Sequence, residues 1–173
     1  MSDTPVSGPA EAQNIVVRGA RTHNLKNIDV TLPTGKLEGA AIGAISAIAT
    51  DHAPHPGSEK MQEFERCPFG ILGLETAIAL TLEELVHLGK ISLSRMVELF
   101  TTGPESVMRL GRGTLAAGAP GDVTIFSTEL QWTYDVNHSF SRSRNSPFDG
   151  RTFRGGPVAA VVNGKFAWRR DGS

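Results

Sequence analysis

The densest group of reactive side chains in this chain is Thr50-Asp51-His52-Ala53-Pro54-His55, a carboxylate followed within four positions by two imidazoles. The run before it, Ala40 to Thr50, is small and apolar and ends Ile45-Ser46-Ala47-Ile48-Ala49-Thr50. That pattern predicts a short strand buried on both faces, with Asp51 at its C-terminal end. In parallel α/β barrels this is the edge where active sites form. A carboxylate there can ligate Zn²⁺ and accept a proton from metal-bound water. The plain alternative is that Asp51 caps the next turn and that His52 and His55 are surface loop residues, because Asp and Pro commonly build turns.

The flanking elements follow from periodicity. Residues 1–13, rich in Ser, Pro, Gly, Ala and Glu, read as a disordered tail. Ile15-Val16-Val17 is a short apolar group, and Ile28, Val30 and Leu32 alternate with Asp29 and Thr31 as in a half-buried strand. Pro33-Thr34-Gly35 signals a turn. Asp51 to Arg66 reads as a loop carrying Pro54, Pro56 and Gly57, and its stretch 56–66 is expected to lack anchors and to be mobile. Leu74, Ala77, Ile78, Leu82 and Leu85 recur at helical spacing before Gly89. Ser92 is placed to cap a second helix with Leu93, Met96, Val97 and Phe100 on one face. Thr102-Gly103-Pro104-Glu105 opens a third, running through Leu110. Beyond Gly111, Asp122–Phe126 and Val158–Val162 read as strands between Gly and Pro punctuation.

With 173 residues and a formal net charge of −1, the chain can hold one ordinary core and has no global charge suited to nucleic acid or a membrane surface. Cys67 is the only cysteine, so it forms no internal disulfide and suits a reduced compartment as a small buried hydrophobe. No apolar run reaches bilayer-spanning length, and no basic segment followed by an apolar stretch opens the chain. The expectation is a soluble cytoplasmic protein with no nucleic-acid or membrane partner.

Ile48-Ala49-Thr50-Asp51-His52-Ala53-Pro54-His55 resembles the eighth-strand motif of bacterial dihydroorotases. Pro68-Phe69-Gly70-Ile71-Leu72-Gly73-Leu74-Glu75-Thr76-Ala77 resembles the family's next motif, and Ser143-Arg144-Asn145-Ser146-Pro147-Phe148-Asp149-Gly150 a later one. The resemblance implies a zinc amidohydrolase that reversibly closes N-carbamoyl-L-aspartate to L-dihydroorotate in pyrimidine synthesis. It makes Asp51 a zinc ligand and the acid/base. His55 becomes the binder of the substrate carboxylate, and Phe69 and Gly70 contact substrate through their backbones. It gives His52 no direct role. The family's His-x-His pair, carboxylated lysine and two further histidines are missing. His23, His87 and His138 stand in no such context, and His87 reads as a structural helix-end residue.

A second resemblance covers Ile15-Val16-Val17-Arg18 through Lys36-Leu37, which looks like the opening of UvrA, the excision-repair ATPase. No G-x-x-x-x-G-K-[ST] phosphate loop follows, and Arg18, Arg21 and Lys26 read as solvated surface charges. The chain therefore reads as two family pieces joined near Leu37: a tail over 1–13, a UvrA-like strand segment over 14–37, a barrel part over 38–111 and a β-region over 112–170. The implied fold class is α/β, a C-terminal fragment of a (β/α)8 amidohydrolase barrel followed by part of a small β-sandwich, since a whole barrel needs about 200 or more residues. Such a chain is expected to be inactive alone, to hold no stable zinc, and to self-associate through exposed edges. The alternatives are a non-catalytic assembly module, another ring amidase such as a hydantoinase or allantoinase, and a DNA-repair ATPase fragment.

Overall fold

The computed structural model describes residues 14–20, 28–33 and 45–170, the first two stretches by their backbone. The tail read over 1–13, the turn at Thr34-Gly35, His23, Lys26 and the join near Leu37 lie outside the described residues. The chain divides into two compact units, Met1–Ala44 and Ile45–Ser173. In the first, strand β1 (Asn14–Ala20) pairs antiparallel with β2 (Ile28–Pro33). Ile15 lies opposite Leu32 and Val17 opposite Val30, with an irregularity between Val17 and Ala20.

The second unit is built on a three-stranded antiparallel sheet in the order β3 (Val123–Thr133), β4 (Thr152–Val162), β5 (Lys165–Arg169). Both longer strands extend well past the short runs legible as strands in the sequence, because bulges let each cross Gly and polar positions. Gly155 sits at one such bulge with φ 90°, and a Cβ there would lie 2.6 Å from the Leu82 side chain and 3.0 Å from the Thr128 carbonyl. The absence of a side chain is what lets the helix below approach β4. Trp132 Nε1 donates to the Gly155 carbonyl at 3.0 Å and closes the same bulge.

One face of this sheet buries Tyr134, Val136 and Phe153 with Leu72 and Ala79, and Trp132, Leu80 and Phe148 pack around them. Phe153 is fully buried, its ring centroid 5.3 Å from that of Trp132 and 6.4 Å from that of Phe148. Burying such a side chain contributes roughly 1.5–3 kcal/mol.

Helix α2 (Ala77–Thr81) delivers Ala79, and after one short helix α1 (Gly57–Lys60) it is the element that matters most for the core. It continues as a π-helical turn, Leu82–Val86, in which His87 N–H donates to the Leu82 carbonyl at 2.8 Å. The wider turn keeps Leu82 and Leu85 both buried and sets Glu83 against β4. Glu83 accepts from the Arg154 backbone N–H at 2.7 Å and pairs with the Arg151 guanidinium at 2.8 Å. Gly89 ends the helical region at φ 66°. Ser92 Oγ accepts from Arg95 N–H at 3.1 Å and caps α3 (Leu93–Phe100), which is followed by α4 (Thr102–Met108).

Several expectations are corrected. Residues 45–50 form no strand and are not buried on both faces. A strand needs neighbours, and here the segment is held instead by α3: Ile48 N–H donates to the Leu99 carbonyl at 3.0 Å, and Arg95 Nη2 to the Ile45 carbonyl at 2.6 Å. On α3 the buried residues are Met96 and Leu99, while Leu93 and Val97 are exposed, so the apolar stripe lies one step round from the expected face. Leu74, expected on the buried face of α2, precedes the helix and is exposed. Helices and strands are both present, as an α/β class requires. Among the described residues no helix is long and apolar enough to cross a membrane.

Candidate functional site

The segments 51–55 and 68–74 lie side by side. Ala53 N–H donates to the Ile71 carbonyl at 2.9 Å, and His52 forms a parallel bridge with Ile71. His52 Nδ1 receives the backbone N–H groups of Gly73 at 3.1 Å and Leu74 at 3.4 Å. A ring nitrogen that accepts from backbone amides carries no proton, so the neutral ring is protonated on Nε2. His52 thus links the first two motifs through two backbone amides.

Gly70 adopts φ 109°, and a Cβ there would meet the Ala53 Cβ at 2.4 Å and His55 Nε2 at 3.6 Å. Only glycine satisfies both the dihedral and the space. His55 is half-buried and its Nδ1 lies 3.2 Å from Glu59 Oε2, one helical turn on at α1. The Lys60 ammonium donates to the carbonyls of Pro68 at 2.7 Å and Gly70 at 2.8 Å. The stretch 56–66, expected to lack anchors, thus contains a helical turn and is tied back by Lys60, whose long stem reaches where its sequence neighbours do not. Cys67, expected to be buried, is half-buried beside the Lys60 carbonyl at 3.6 Å.

The third motif enters through Asn145. Its Oδ1 accepts the His55 backbone N–H at 3.2 Å, and its Nδ2 donates to the carbonyls of Ala53 at 2.8 Å and Gly70 at 3.2 Å. Its own carbonyl accepts Leu72 N–H at 3.1 Å. Glu75 adds a further tie, accepting from Ser139 Oγ at 2.6 Å and Phe140 N–H at 2.9 Å. The fold thus joins the third motif to the first two, with His55 and Asn145 90 positions apart.

Of the residues singled out by sequence, His55 and Gly70 come together. Phe69 is adjacent and 70% exposed. Asp51 stands at φ 46° and is exposed at the start of the same edge. His87 Nε2 lies 3.3 Å from the Arg154 carbonyl, a helix-to-sheet contact in keeping with a structural role. Asn145 and Lys60 carried no assigned role in the sequence reading. The signal for Asn145 was its place inside a quoted motif, whereas a lysine in a charged loop gives none.

A catalytic zinc takes three protein ligands and leaves a position for water. Among the described residues no three His, Cys, Asp or Glu side chains lie close enough together to hold a metal ion. Asp51 by itself does not fit that requirement.

A separate cleft of about 490 Å³ lies on the sheet, lined by Trp132, Tyr134, Phe140, Trp168 and Arg170 among others, and by none of Asp51, His55, Phe69 or Gly70. Arg170 lies 4.4 Å over the Trp132 ring, and burial pulls its guanidinium below its ordinary value. At the rim, the Asn137 backbone N–H and then the His138 ring hold the Asp135 carboxyl below the ordinary aspartate value.

No family model matches the chain. It is 74% identical over 137 residues to a dihydroorotase of Solibacter usitatus, a match covering 79% of this chain and 32% of that protein. It is 37% identical over 169 residues to a dihydroorotase of Bacillus cereus, covering 98% of this chain and 37% of that one. In structure it is similar to an L-hydantoinase (dihydropyrimidinase) from Arthrobacter aurescens, with a TM-score of 0.71 and 29% identity over 78% of this chain and 31% of that one. The chain therefore spans about a third of the length of the dihydroorotases it matches.

Proposed function

We propose that residues 45–170 are the C-terminal part of a dihydroorotase-type cyclic amidohydrolase: the last helices of a (β/α)8 barrel and part of a β-sandwich. In this reading the segment supplies one wall of the site that interconverts N-carbamoyl-L-aspartate and L-dihydroorotate. The observation that carries it is the 74% identity over 137 residues. The hydantoinase likeness supports the shared ring-amidase scaffold, and its 29% identity makes hydantoin chemistry the weaker reading.

Within that reading, Asp51 is the acid/base. In the hydrolytic direction a water oxygen bonds to the ring amide carbon, that carbon's bond to the ring nitrogen breaks, and the proton removed from water passes through the Asp51 carboxylate to the departing nitrogen. His55 faces the substrate carboxylate, and the Phe69–Gly70 backbone lines the same wall. Asp51 is also the one zinc ligand of the family motif that this segment carries. The remaining ligands, and the walls that exclude water, belong to the other two-thirds of such an enzyme, so the chain alone is expected to be inactive. Exposed outer strands make self-association of the isolated chain part of the same reading.

The Solibacter alignment covers 79% of the chain and the Bacillus cereus alignment 98%, so the second runs through the stretch before Leu37 that resembles UvrA and weighs against a separate origin for it. Sequencing the locus across residues 30–45 tests that join.

The functional test restores the N-terminal two-thirds of the Solibacter usitatus dihydroorotase ahead of Ala40 and assays carbamoyl-aspartate cyclisation and hydantoin hydrolysis. Cyclisation is expected, with Asp51→Ala lowering kcat at least about 100-fold, as loss of a general acid/base does. Near-full activity in Asp51→Ala, or hydantoin turnover without cyclisation, overturns the assignment. A restored protein that folds and turns over neither substrate favours a non-catalytic assembly module.

A further inference from the structure

We infer that Asn145 is a positioning residue, whose carboxamide fixes the backbone at His55 and the carbonyl of Gly70 in one arrangement; as a statement about catalysis, this rests on His55 and Gly70 facing substrate. Asn145 lies in the loop between β3 and β4, remote in sequence from both segments it grips. Its Oδ1 holds the His55 N–H at 3.2 Å, and its Nδ2 spans the Ala53 and Gly70 carbonyls at 2.8 and 3.2 Å. All the directional capacity of the amide that these bonds need is used on backbone atoms flanking the proposed substrate contacts.

The chemistry is specific to asparagine. Aspartate keeps the acceptor for His55 N–H but sets an oxygen against two carbonyls. Glutamine moves the amide out by one methylene, and alanine removes every bond. Lys60 grips the Gly70 carbonyl as well, at 2.8 Å, and provides an internal control. It touches Gly70 and Pro68 and makes no bond to the His55 backbone.

Loss of either grip leaves a loop able to occupy several conformations, and a site misplaced by about 1 Å loses much of its rate. The position matters because Gly70 is already at φ 109° with no room for a Cβ beside Ala53, so this backbone conformation is open to glycine alone.

The test uses the full chain, labelled for NMR, with amide exchange and carbonyl ¹³C shifts as readouts. In Asn145→Ala, exchange at the His55 amide is expected to accelerate about 10-fold or more, and the Gly70 carbonyl shift to move, while protection at Leu82 and Phe153 stays within about twofold. Asn145→Asp is expected to keep His55 protection at neutral pH yet move the Gly70 carbonyl. Lys60→Met is expected to move Gly70 and leave His55 unchanged. If Asn145→Ala does not fold, the Asp and Met variants still separate the two grips. Unchanged His55 exchange in Asn145→Ala, uniform loss of protection across the unit, or parallel behaviour of His55 and Gly70 in all variants overturns the inference. None of these readouts depends on turnover, so failure of the dihydroorotase reading would show in the restored enzyme and not here.

Discussion

The sheet β3–β4–β5 and the edge formed by 51–55 and 68–74 belong to the same compact unit, yet different forces hold them. The sheet has ladder hydrogen bonds and a packed face on which Tyr134, Val136 and Phe153 meet Leu72 and Ala79. Among the described residues the edge has one parallel bridge, between His52 and Ile71, a backbone bond from Leu72 N–H to the Asn145 carbonyl, and side chains donating to or accepting from backbone: His52, Lys60, Asn145 and Glu75. Apolar burial is non-directional and tolerates small shifts, whereas a carboxamide or ammonium clamp fixes individual carbonyls. Under the proposed function the edge presents Gly70 and His55 to substrate in a defined relation, which the second device serves better, and the first supplies the stability on which it stands.

The comparison breaks most visibly at Phe153. Phe153→Ala removes a fully buried ring and is expected to cost about 3–5 kcal/mol. Chemical denaturation followed by tryptophan fluorescence, with Trp132 beside the cavity, measures it. A cost under about 1 kcal/mol would mean that the sheet is not the stabilising half.

At the edge the expected effect is functional. In an enzyme restored with the missing two-thirds, Asn145→Ala should raise KM for dihydroorotate about 10-fold, the worth of one or two well-made hydrogen bonds, with a smaller fall in kcat. Equal loss in both parameters together with a lowered Tm would make Asn145 a general stabiliser.

Legibility in the sequence follows the same division. Helical spacing and the Ser92 cap are readable because α3 is organised locally, whereas Trp132 and Phe153 lie on strand stretches beyond the short runs legible in the sequence and Tyr134 and Phe148 lie outside the strands. Asp51, His55 and Gly70 stood out through their motifs. The strand expected at 45–50 failed because strand formation depends on neighbours that the segment lacks, and an α3 contact replaced them. Lys60 was invisible because reach, not pattern, makes it a clamp. The π turn at Leu82–Val86 was equally hidden: its Leu82 and Leu85 fit an ordinary helix just as well.

A smaller effect of opposite sign tests the boundary between the regions. Thr76, at the junction of the edge and α2, is buried, and among the described residues its Oγ1 has no hydrogen-bond partner. Replacing an unsatisfied hydroxyl by a methyl of similar shape removes a desolvation cost, so Thr76→Val is expected to stabilise by up to about 1 kcal/mol. A destabilisation in urea melts would show that the hydroxyl serves the junction.

The smallest effect concerns a clamp of the same kind built from a titratable group. The Glu105 carboxylate accepts the backbone N–H groups of Leu110 at 2.9 Å, Gly111 at 2.9 Å and Arg112 at 3.2 Å, closing the turn after α4. The Gly111 bond, then that of Arg112, holds its carboxyl below the ordinary glutamate value. A carboxyl depressed in the folded state binds its proton more weakly there than in the unfolded chain. Its contribution is therefore fully present above the unfolded value, about 4.3, and is lost as pH falls through the lower folded value. Asn145 does not titrate, so the two clamps should part on acidification. Amide exchange at Gly111 and Arg112, corrected for its intrinsic pH dependence, should lose protection below about pH 4, while His55 keeps the share of its protection owed to Asn145. Glu105→Gln should show the weakened Gly111 protection already at neutral pH and no further change on acidification. If Gly111 protection in the parent chain is flat through this range, the turn is held by its packing and the carboxylate adds nothing to it.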